Sequence, residues 1–351
     1  MKKRFITNVL KRAAVLTAAC SLLLTGCGSA AGAAVAATGA AASSAASGSG
    51  DLTKVRVGTD TMQLAYAQII GKQKGFYAEN GIDVEITTYA AGIETINAIM
   101  TGAEDIGAAY DYALSTRCIP DTKIRMISAF VTNADGSYWF EAADENVKTA
   151  ADLKGKSIGI VKGTLGEYLI AKELESGGLT YDDVTINYLS SDGEVAAAYV
   201  AGQLDAILGL KPFTEEIEKR EGHHIVNTTG DIGIISQGFL AADKTFAAEH
   251  PDAVAAYLKG TQKAVDYIKS DTDDAAQICA DYLTVSKQDV LLSFESFTFD
   301  VSYSEADHEH LQDIANWCVE NGVLENETKI TEYTDLAPLK AAFPEKVTCK
   351  D

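Results

Sequence analysis

The chain has 351 residues, of which 29 are lysine or arginine and 50 are aspartate or glutamate, so its formal net charge at pH 7 is −21. This surplus of carboxylates argues against nucleic-acid binding, which depends on lysine and arginine contacts with phosphate. It also argues against adsorption to anionic lipid through a basic surface. The length suits two domains of ordinary size.

Residues 1–26 have the composition of a secretory signal peptide. Five basic residues lie within the first 12, and an apolar run too short for an ordinary membrane span covers 13–24. The run ends in Leu24-Thr25-Gly26-Cys27, which resembles the bacterial lipobox and implies cleavage before Cys27 and diacylglycerol on its sulfur. Cleavage would remove five basic residues and no acidic ones, leaving a net charge of −26.

Residues 27–50 are predicted to form a flexible linker behind this lipid anchor. Beyond Cys27 they are almost entirely alanine, serine and glycine, without charge and without an apolar pattern that could pack. A marginal helix in the alanine stretch is the alternative, which the interspersed glycines weaken.

Residues 51–135 are predicted to form the first part of an α/β lobe, because apolar runs and amphipathic segments alternate between glycine-bounded turns. Strands are predicted at 54–58, 82–87, 105–108 and 124–131, and helices at 93–101, 113–117 and in a segment ending at 74.

Residues 136–238 are predicted to form the second lobe. The chain crosses into it near the turn at 133–136 and returns near 236–238. Strands are predicted at 157–161, 184–188 and 206–208, with a helix at 165–175, an edge strand at 225–226 and a returning segment at 232–240.

Residues 239–351 are assigned to the return into the first lobe and to helices packed around it. Apolar residues recur at helical spacing in 253–269, 273–283, 287–294 and 305–321, and no alternation of strand and helix is visible.

Segments 55–109 and 157–208 are predicted to fold alike. Residues of the same type recur at a constant offset of 100, namely Val84 and Val184, Ala98 and Ala198, Gly102 and Gly202, and Asp105 and Asp205. Two βαβαβ units in one chain predict two α/β lobes, with a ligand site where the carboxyl ends of strands face helix starts.

The order of short motifs along these lobes resembles a known family. Val57-Gly58, Gly75-Phe76-Tyr77 and Gly81-Ile82-Asp83-Val84-Glu85 resemble the opening of solute-binding proteins of ABC importers, in the group for nitrate, sulfonate, taurine and thiamine-precursor uptake. Two later segments, 102–107 and 152–156, agree with it, and the resemblance extends from residue 54 to about 283.

The resemblance implies a type II periplasmic-binding fold with two βα lobes, a cleft between them and C-terminal helices on the first lobe. It implies a monomeric, lipid-anchored receptor on the extracytoplasmic face of the cell membrane, without a cofactor. Such a receptor closes on one small solute and presents it to a permease driven by a separate ATPase. One departure is Leu210-Lys211-Pro212, where the family often has an aromatic residue before proline.

Four loops are expected to converge on the cleft and to supply the ligand-binding residues. The candidates are Asp60, Thr61, Gln63, Tyr110, Asp111, Trp139, Gly163, Thr164, Lys211 and Gln237.

The candidates point to two different ligand charges. A helix start at Gly163 and Thr164, with free N–H groups, suits an oxygen of a carboxylate, sulfonate or nitrate. Asp60 and Asp111 would repel an anion and favour amino groups or ring N–H donors. Structural alternatives stay open: Asp111 capping its helix, a core position for Trp139 and a surface position for Lys211.

The cysteines and histidines do not predict a metal site. Cys118, Cys279, Cys318 and Cys349 allow three disulfide pairings, free thiols are equally open, and no Cys-x-x-Cys spacing occurs. His308 and His310 lie two residues apart, which does not bring them to one helix face, so a polar surface role is expected.

The function predicted from these observations is solute reception for an ABC importer, without enzymatic activity. The ligand would be a sulfonate, taurine, nitrate or a thiamine-precursor pyrimidine. The alternatives are an exported enzyme on the same fold, although no motif of a catalytic nucleophile is found, and a ligand sensor without a permease.

Overall fold

The computed structural model describes residues 52–133, 138–209 and 213–350. The predicted signal peptide, the linker, Cys27 and Lys211 lie outside the described residues. The strands are β1 Thr53–Thr59, β2 Ile82–Thr88, β3 Ile106–Tyr110, β4 Ile124–Asn133, β5 Trp139–Ala142, β6 Ser157–Val161, β7 Thr185–Leu189, β8 Ala206–Gly209, β9 His224–Thr228, β10 Ser236–Asp243 and β11 Thr298–Ser302. The helices are α1 Gln63–Gln73, α2 Gly92–Thr101, α3 Asp111–Ser115, α4 Leu165–Ser176, α5 Asp192–Val200, α6 Thr214–Ile217, α7 Lys244–Glu249, α8 Pro251–Ser270, α9 Thr272–Leu283, α10 Lys287–Ser296, α11 Glu305–Glu320 and α12 Ala337–Ala342.

The strands form two sheets, one for each predicted lobe. The first sheet has the order β11-β4-β10-β3-β1-β2 and the second β7-β6-β8-β5-β9. Each contains a parallel triplet in which the first strand of the unit is central, β2-β1-β3 in one and β7-β6-β8 in the other. The predicted pair of βαβαβ units is therefore confirmed.

The glycines and aspartates that recur at an offset of 100 have equivalent structural roles in both units. Val184, in contrast, lies just before β7, whereas Val84 lies within β2. Gly102 and Gly202 follow α2 and α5 with φ of +79° and +76°, a left-handed conformation that suits glycine after a helix. The carboxylate of Asp105 accepts the Arg56 N–H at 2.9 Å, and that of Asp205 accepts the Ser157 N–H at 2.8 Å. Each aspartate thus ties the turn before its third strand to the first strand of its unit.

β4 and β10 lie antiparallel where the chain leaves and re-enters the first sheet, with Ser236 opposite Asn133. β10 already pairs with β4 from Ser236 onward, so the return into the first sheet precedes the predicted boundary at 238. Residues 134–137, where the outward crossing was predicted, lie outside the described ranges.

Two features of the C-terminal block differ from the prediction. β11 was missed, although Phe299 and Val301 alternate inward in the manner of an edge strand packed on one face. α11 does not pack on the first lobe alone. Leu311 lies in the core of the first lobe, whereas Ile314 and Trp317 lie in the core of the second.

No helix within the described ranges is long and apolar enough to cross a membrane. Cys118, Cys279 and Cys318 are buried thiols without a disulfide bond.

Candidate functional site

A cavity lies between the two lobes, at the carboxyl ends of β1, β3 and β6. It encloses about 780 Å³ of empty space, including the part open to solvent. Most of its surface is apolar and comes from both lobes, with contributions from Met62, Ile93, Leu165, Leu169, Val195 and Leu208. Such a surface suits an organic ligand of modest size.

Each lobe contributes one carboxyl group to the cavity. Asp60 follows β1, is 6% exposed, and accepts the Met62 N–H at 2.9 Å. Burial, with a smaller contribution from the charge of Asp192, raises the pKa of Asp60 to about 7. Asp192 is the first residue of α5 in the second lobe, and burial raises its pKa to about 6. The two groups therefore face a shared space in which an unpaired negative charge is costly.

Two tyrosines also line the cavity, one from each side of the crossing. The rings of Tyr110 and Tyr138 meet edge to face, with centroids 6.5 Å apart. Burial raises the pKa of Tyr110 well above its usual value, so its hydroxyl stays protonated. Apart from a contact with the Tyr138 hydroxyl, the Tyr110 Oη has no hydrogen-bond partner within the described part of the chain.

Three of the helix starts at the cavity, those of α2, α4 and α5, each carry a glutamate as their third residue. The start of α1 at Gln63, which also lines the cavity, has no acidic residue in its first turn. The carboxylate of Glu94 accepts the Ala90 N–H at 2.9 Å, that of Glu167 the Gly163 N–H at 3.0 Å, and that of Glu194 the Ser190 N–H at 3.1 Å. These carboxylates occupy the positive end of each helix dipole, where an anion would otherwise bind.

Gly163 and Thr164 precede α4 in the second lobe, and of the two only Thr164 lines the cavity. A Cβ atom on Gly163 would lie 3.9 Å from Ile93 of the first lobe, so the two lobes approach each other here. Thr164 lines the cavity, but its hydroxyl donates to the Val161 carbonyl at 2.8 Å and does not cap α4.

Gln63 is buried and lines the cavity as predicted, whereas two other candidates lie outside it. Thr61 is exposed and borders a small neighbouring pocket beside α10. Trp139 begins β5 and is half-buried, while the residue before it, Tyr138, faces the cavity.

Asp111 and Gln237 lie behind the cavity in a buried polar network. The Asp111 carboxylate is fully buried and accepts the backbone N–H of Gln237 at 2.8 Å and a hydrogen bond from His310 Nε2 at 2.7 Å. The Gln237 side-chain amide donates to Asp307 at 2.6 Å. The network joins α3, β10 and α11, so the structure does not bring these two side chains to the cavity.

His310 was expected on a polar surface, but its side chain is only 16% exposed. Burial lowers the pKa of His310, and the hydrogen bond and charge of Asp111 outweigh this effect, so the net shift is upward. No group of three or more potential metal ligands occurs among the residues that the structure describes.

Asp192 is the charged cavity residue that was not predicted from the sequence, although a signal for it exists. The offset of 100 aligns Asp192 with Gly92, and both residues begin a helix that lines the cavity. A search for charged residues at repeat positions that face the cleft would have found it.

Comparison with known proteins places these observations in a family. The family model described as "NMT1/THI5 like" matches residues 65–275, which is more than half of the chain. A Brucella abortus (strain 2308) protein named provisionally as a binding protein is 27% identical over 228 residues, covering 62% of this chain and 67% of the relative. The formylaminopyrimidine-binding protein of Halalkalibacterium halodurans is 22% identical over 210 residues, covering 59% and 63%.

A similar fold is found among solved structures. The alkanesulfonate-binding protein SsuA from Xanthomonas axonopodis pv. citri superposes with a TM-score of 0.71 at 18% identity, covering 82% of this chain and 100% of that one. This chain belongs to the NMT1/THI5-like family and has the type II periplasmic-binding-protein fold.

Proposed function

We propose that the protein is the solute receptor of an ABC importer and that its ligand is a small organic molecule with an amino group, an amidine or ring N–H donors. Asp60 and Asp192, one from each lobe of the same cavity, are the observation that carries this proposal. The predicted anchor at Cys27, the transfer to a permease and the location outside the cell membrane belong to the same proposal.

A simple anion is a poor match for this cavity. No lysine or arginine lines it among residues 52–133, 138–209 and 213–350. Glu94, Glu167 and Glu194 already occupy three of the helix starts at the cavity. At the fourth, that of α1, the Asp60 carboxylate accepts the Met62 N–H. Nitrate or a sulfonate would therefore have to enter between carboxylates without a compensating positive charge.

An organic cation or N–H donor satisfies the same groups. Its charge would stabilise the ionised forms of Asp60 and Asp192, while its apolar body packs against side chains such as Leu169 and Val195. Among the relatives, the name of the formylaminopyrimidine-binding protein agrees with such a ligand, whereas SsuA is named for an anion.

The two carboxyl groups also supply a mechanism of closure. A ligand shifts a conformational equilibrium only by its differential contact with the two states. A cation held between Asp60 and Asp192 contacts both lobes only when they are together, and without it the two like charges oppose closure. The ligand charge would thus favour the closed state, in which the solute is presented to the permease.

A thermal-shift screen of the soluble mature chain, residues 28–351, tests the proposed ligand charge. The screen compares three compounds that share a benzene ring but differ in charge: benzylamine is cationic, benzyl alcohol neutral and benzenesulfonate anionic. It also includes hydroxymethylpyrimidine, taurine and nitrate. We expect stabilisation by the amine or the aminopyrimidine, with about 2.7 kcal/mol at a hundred times the Kd. The ligand should be recovered chemically unchanged.

Stabilisation by benzenesulfonate or nitrate that persists in Asp60→Asn would contradict the proposal. Recovery of a modified compound would instead favour an enzyme on the same fold.

A further inference from the structure

Three polar side chains lie on one face of the first sheet, next to the cavity. In the antiparallel register Gly238 pairs with Tyr110 on β3 and with Val131 on β4, and two residues away Ser236 pairs with Asn133. Residues directly opposite each other, and residues two apart along a strand, share a face. Tyr110, Ser236 and Asn133 therefore point to the same side.

This side of the sheet is the one that α1 covers. A Cβ atom on Gly238 would lie 2.5 Å from the Leu64 Cδ2 of α1, which fixes the direction of the face. The preceding residue of α1, Gln63, lines the cavity, as does Tyr110. The hydroxyl of Tyr138, a third lining residue, lies beside Tyr110 and Ser236. The polar face thus continues the floor of the cavity.

The polar atoms of this floor are buried with few or no partners. Asn133 and Ser236 are each 2% exposed. Asn133 Oδ1 and Nδ2 have no hydrogen-bond partner within the described ranges, and Ser236 Oγ and Tyr110 Oη have none apart from a contact with the Tyr138 hydroxyl. Burying an unpaired polar atom is costly, so such groups in a native fold require an explanation.

A serine on the same strand as Asn133 shows the ordinary arrangement. Ser128 is fully buried, and its hydroxyl donates to the Ser302 carbonyl at 3.2 Å. The unpaired state of the floor is therefore not a general feature of polar residues in β4.

We propose that Asn133, Ser236 and Tyr110 form a second, uncharged subsite that binds an amide-like edge of the ligand. A carboxamide side chain presents an acceptor and a donor next to each other, and the two hydroxyls can do either. The complementary group is a neutral edge with adjacent donor and acceptor, as in a carboxamide, a urea or an aminopyrimidine. This subsite deepens the proposed function and rests on it, since it assumes that the cleft takes an organic ligand.

The stability of the empty protein tests whether the floor is unpaired. In the mature chain, Ser236→Ala and Asn133→Leu should leave the Tm unchanged or raise it, because they remove buried atoms that have no partner. Ser128→Ala is the matched control and should lower the Tm. If Ser236→Ala and Asn133→Leu lowered the Tm as much as Ser128→Ala, the proposal would be overturned. Such a result would show that the polar atoms of Asn133 and Ser236 already have hydrogen-bond partners without a ligand.

Binding is tested with acetamide as the probe for the amide edge. In ¹⁵N-labelled protein the side-chain NH₂ resonance of Asn133, identified by its absence in Asn133→Leu, should shift saturably with acetamide and much less with acetone. Ser236→Ala should weaken the acetamide response about tenfold. An Asn133 resonance that acetamide leaves unmoved, or that acetone moves equally, overturns the subsite.

Methylammonium separates this outcome from a failure of the proposed function. It should shift the Met62 backbone amide, which donates to Asp60, without moving the Asn133 side chain. An acetamide response without a methylammonium response supports the floor and contradicts the proposed charge of the ligand. A methylammonium response without an acetamide response contradicts the proposed subsite and leaves the proposed function standing.

Discussion

The two βαβαβ units have the same framework but present different groups to the cavity. Glu94 and Glu194 close equivalent helix starts, and Asp105 and Asp205 bind equivalent strands. At the first position of the helix, however, the first unit has Gly92 and the second has Asp192.

The first unit places its carboxyl group elsewhere, at Asp60 after β1. At the positions compared, the residues that recur make contacts within the fold of each unit, whereas the pair that differs, Gly92 and Asp192, lines the cavity. The comparison thus separates structural carboxylates from candidate ligand-binding ones within one chain, and the following predictions test that separation.

The largest expected effect is on the pH dependence of stability of the empty protein. The pKa of Asp60 is about 7 and that of Asp192 about 6, above the unfolded value near 3.8. Between about pH 4 and pH 7 the folded state therefore binds more protons than the unfolded state, and stability falls as pH rises. Asp60→Asn should raise stability near pH 8 by on the order of 3 kcal/mol.

Thermal melts from about pH 5 to pH 8 measure this effect. Asp192→Asn should flatten the curve less than Asp60→Asn does. Glu173→Gln is the control for a buried carboxyl group that does not line the cavity. Burial raises the pKa of Glu173 to about 7 as well. A pH dependence unaltered by Asp60→Asn would contradict the assignment of Asp60.

The second prediction concerns affinity. For the amine or aminopyrimidine found in the screen, Asp60→Asn should weaken binding by about 2 to 3 kcal/mol, or roughly 30- to 100-fold in Kd. Asp205→Asn changes an aspartate of the framework and should leave the Kd unchanged. Isothermal titration calorimetry measures the Kd of both variants. Equal losses of affinity in the two would contradict the distinction between structural and ligand-binding carboxylates.

Affinity for a cationic ligand should also rise with pH over the range in which Asp60 and Asp192 ionise, since the ligand binds the charged forms. Titrations of the wild-type protein near pH 5.5 and pH 8 measure this change. An affinity that falls as pH rises would indicate a neutral or anionic ligand.

The framework itself can be tested with Asp105→Asn and Asp205→Asn. Each should lower the free energy of unfolding by about 1 to 2 kcal/mol, because each carboxylate accepts a strand N–H. Asp105 also forms an ion pair with Arg56 at 2.5 Å, so its loss should be the larger of the two. Urea denaturation gives both values, and a variant as stable as wild type would show that the recurrence has no structural basis.

The smallest effect is expected from Glu167→Gln. The glutamine should reduce stability by only about 0.5 to 1 kcal/mol, since an amide can still accept the Gly163 N–H. It should also permit sulfate to stabilise the protein, because the helix start is no longer occupied by a negative charge. Glu194→Gln is the matched variant, because Glu194 accepts a backbone N–H at the start of α5 in the same way but has an exposed side chain. Absence of a sulfate effect in Glu167→Gln would mean that this glutamate is not what disfavours anions.

Much of the fold could be predicted from the sequence because its periodicities are local. The repeated unit, most strands and the long C-terminal helices follow from apolar spacing and from glycines that end helices. β11 was missed because five residues between two helical segments carry too little pattern to distinguish a strand from a loop.

The site was harder to predict because adjacent residues face opposite sides. Tyr110 faces the cavity, while Asp111, one residue later, faces α11 behind it. Tyr138 lines the cavity and Trp139 does not. The sequence indicates where a strand ends only to within a residue or two. An error of one residue therefore selects a buried structural side chain in place of one that lines the cavity.

The position of α11 limits how the cleft can open. Since this helix buries Leu311 with one lobe and Trp317 with the other, the lobes cannot swing apart about the crossing strands alone. Opening must bend the helix or detach one of its ends. Detachment at Trp317 would expose its edge-to-face contact with Tyr168 and break its hydrogen bond to Glu175. Under the proposed function, release of a solute would then depend on the detachment of α11 from one lobe.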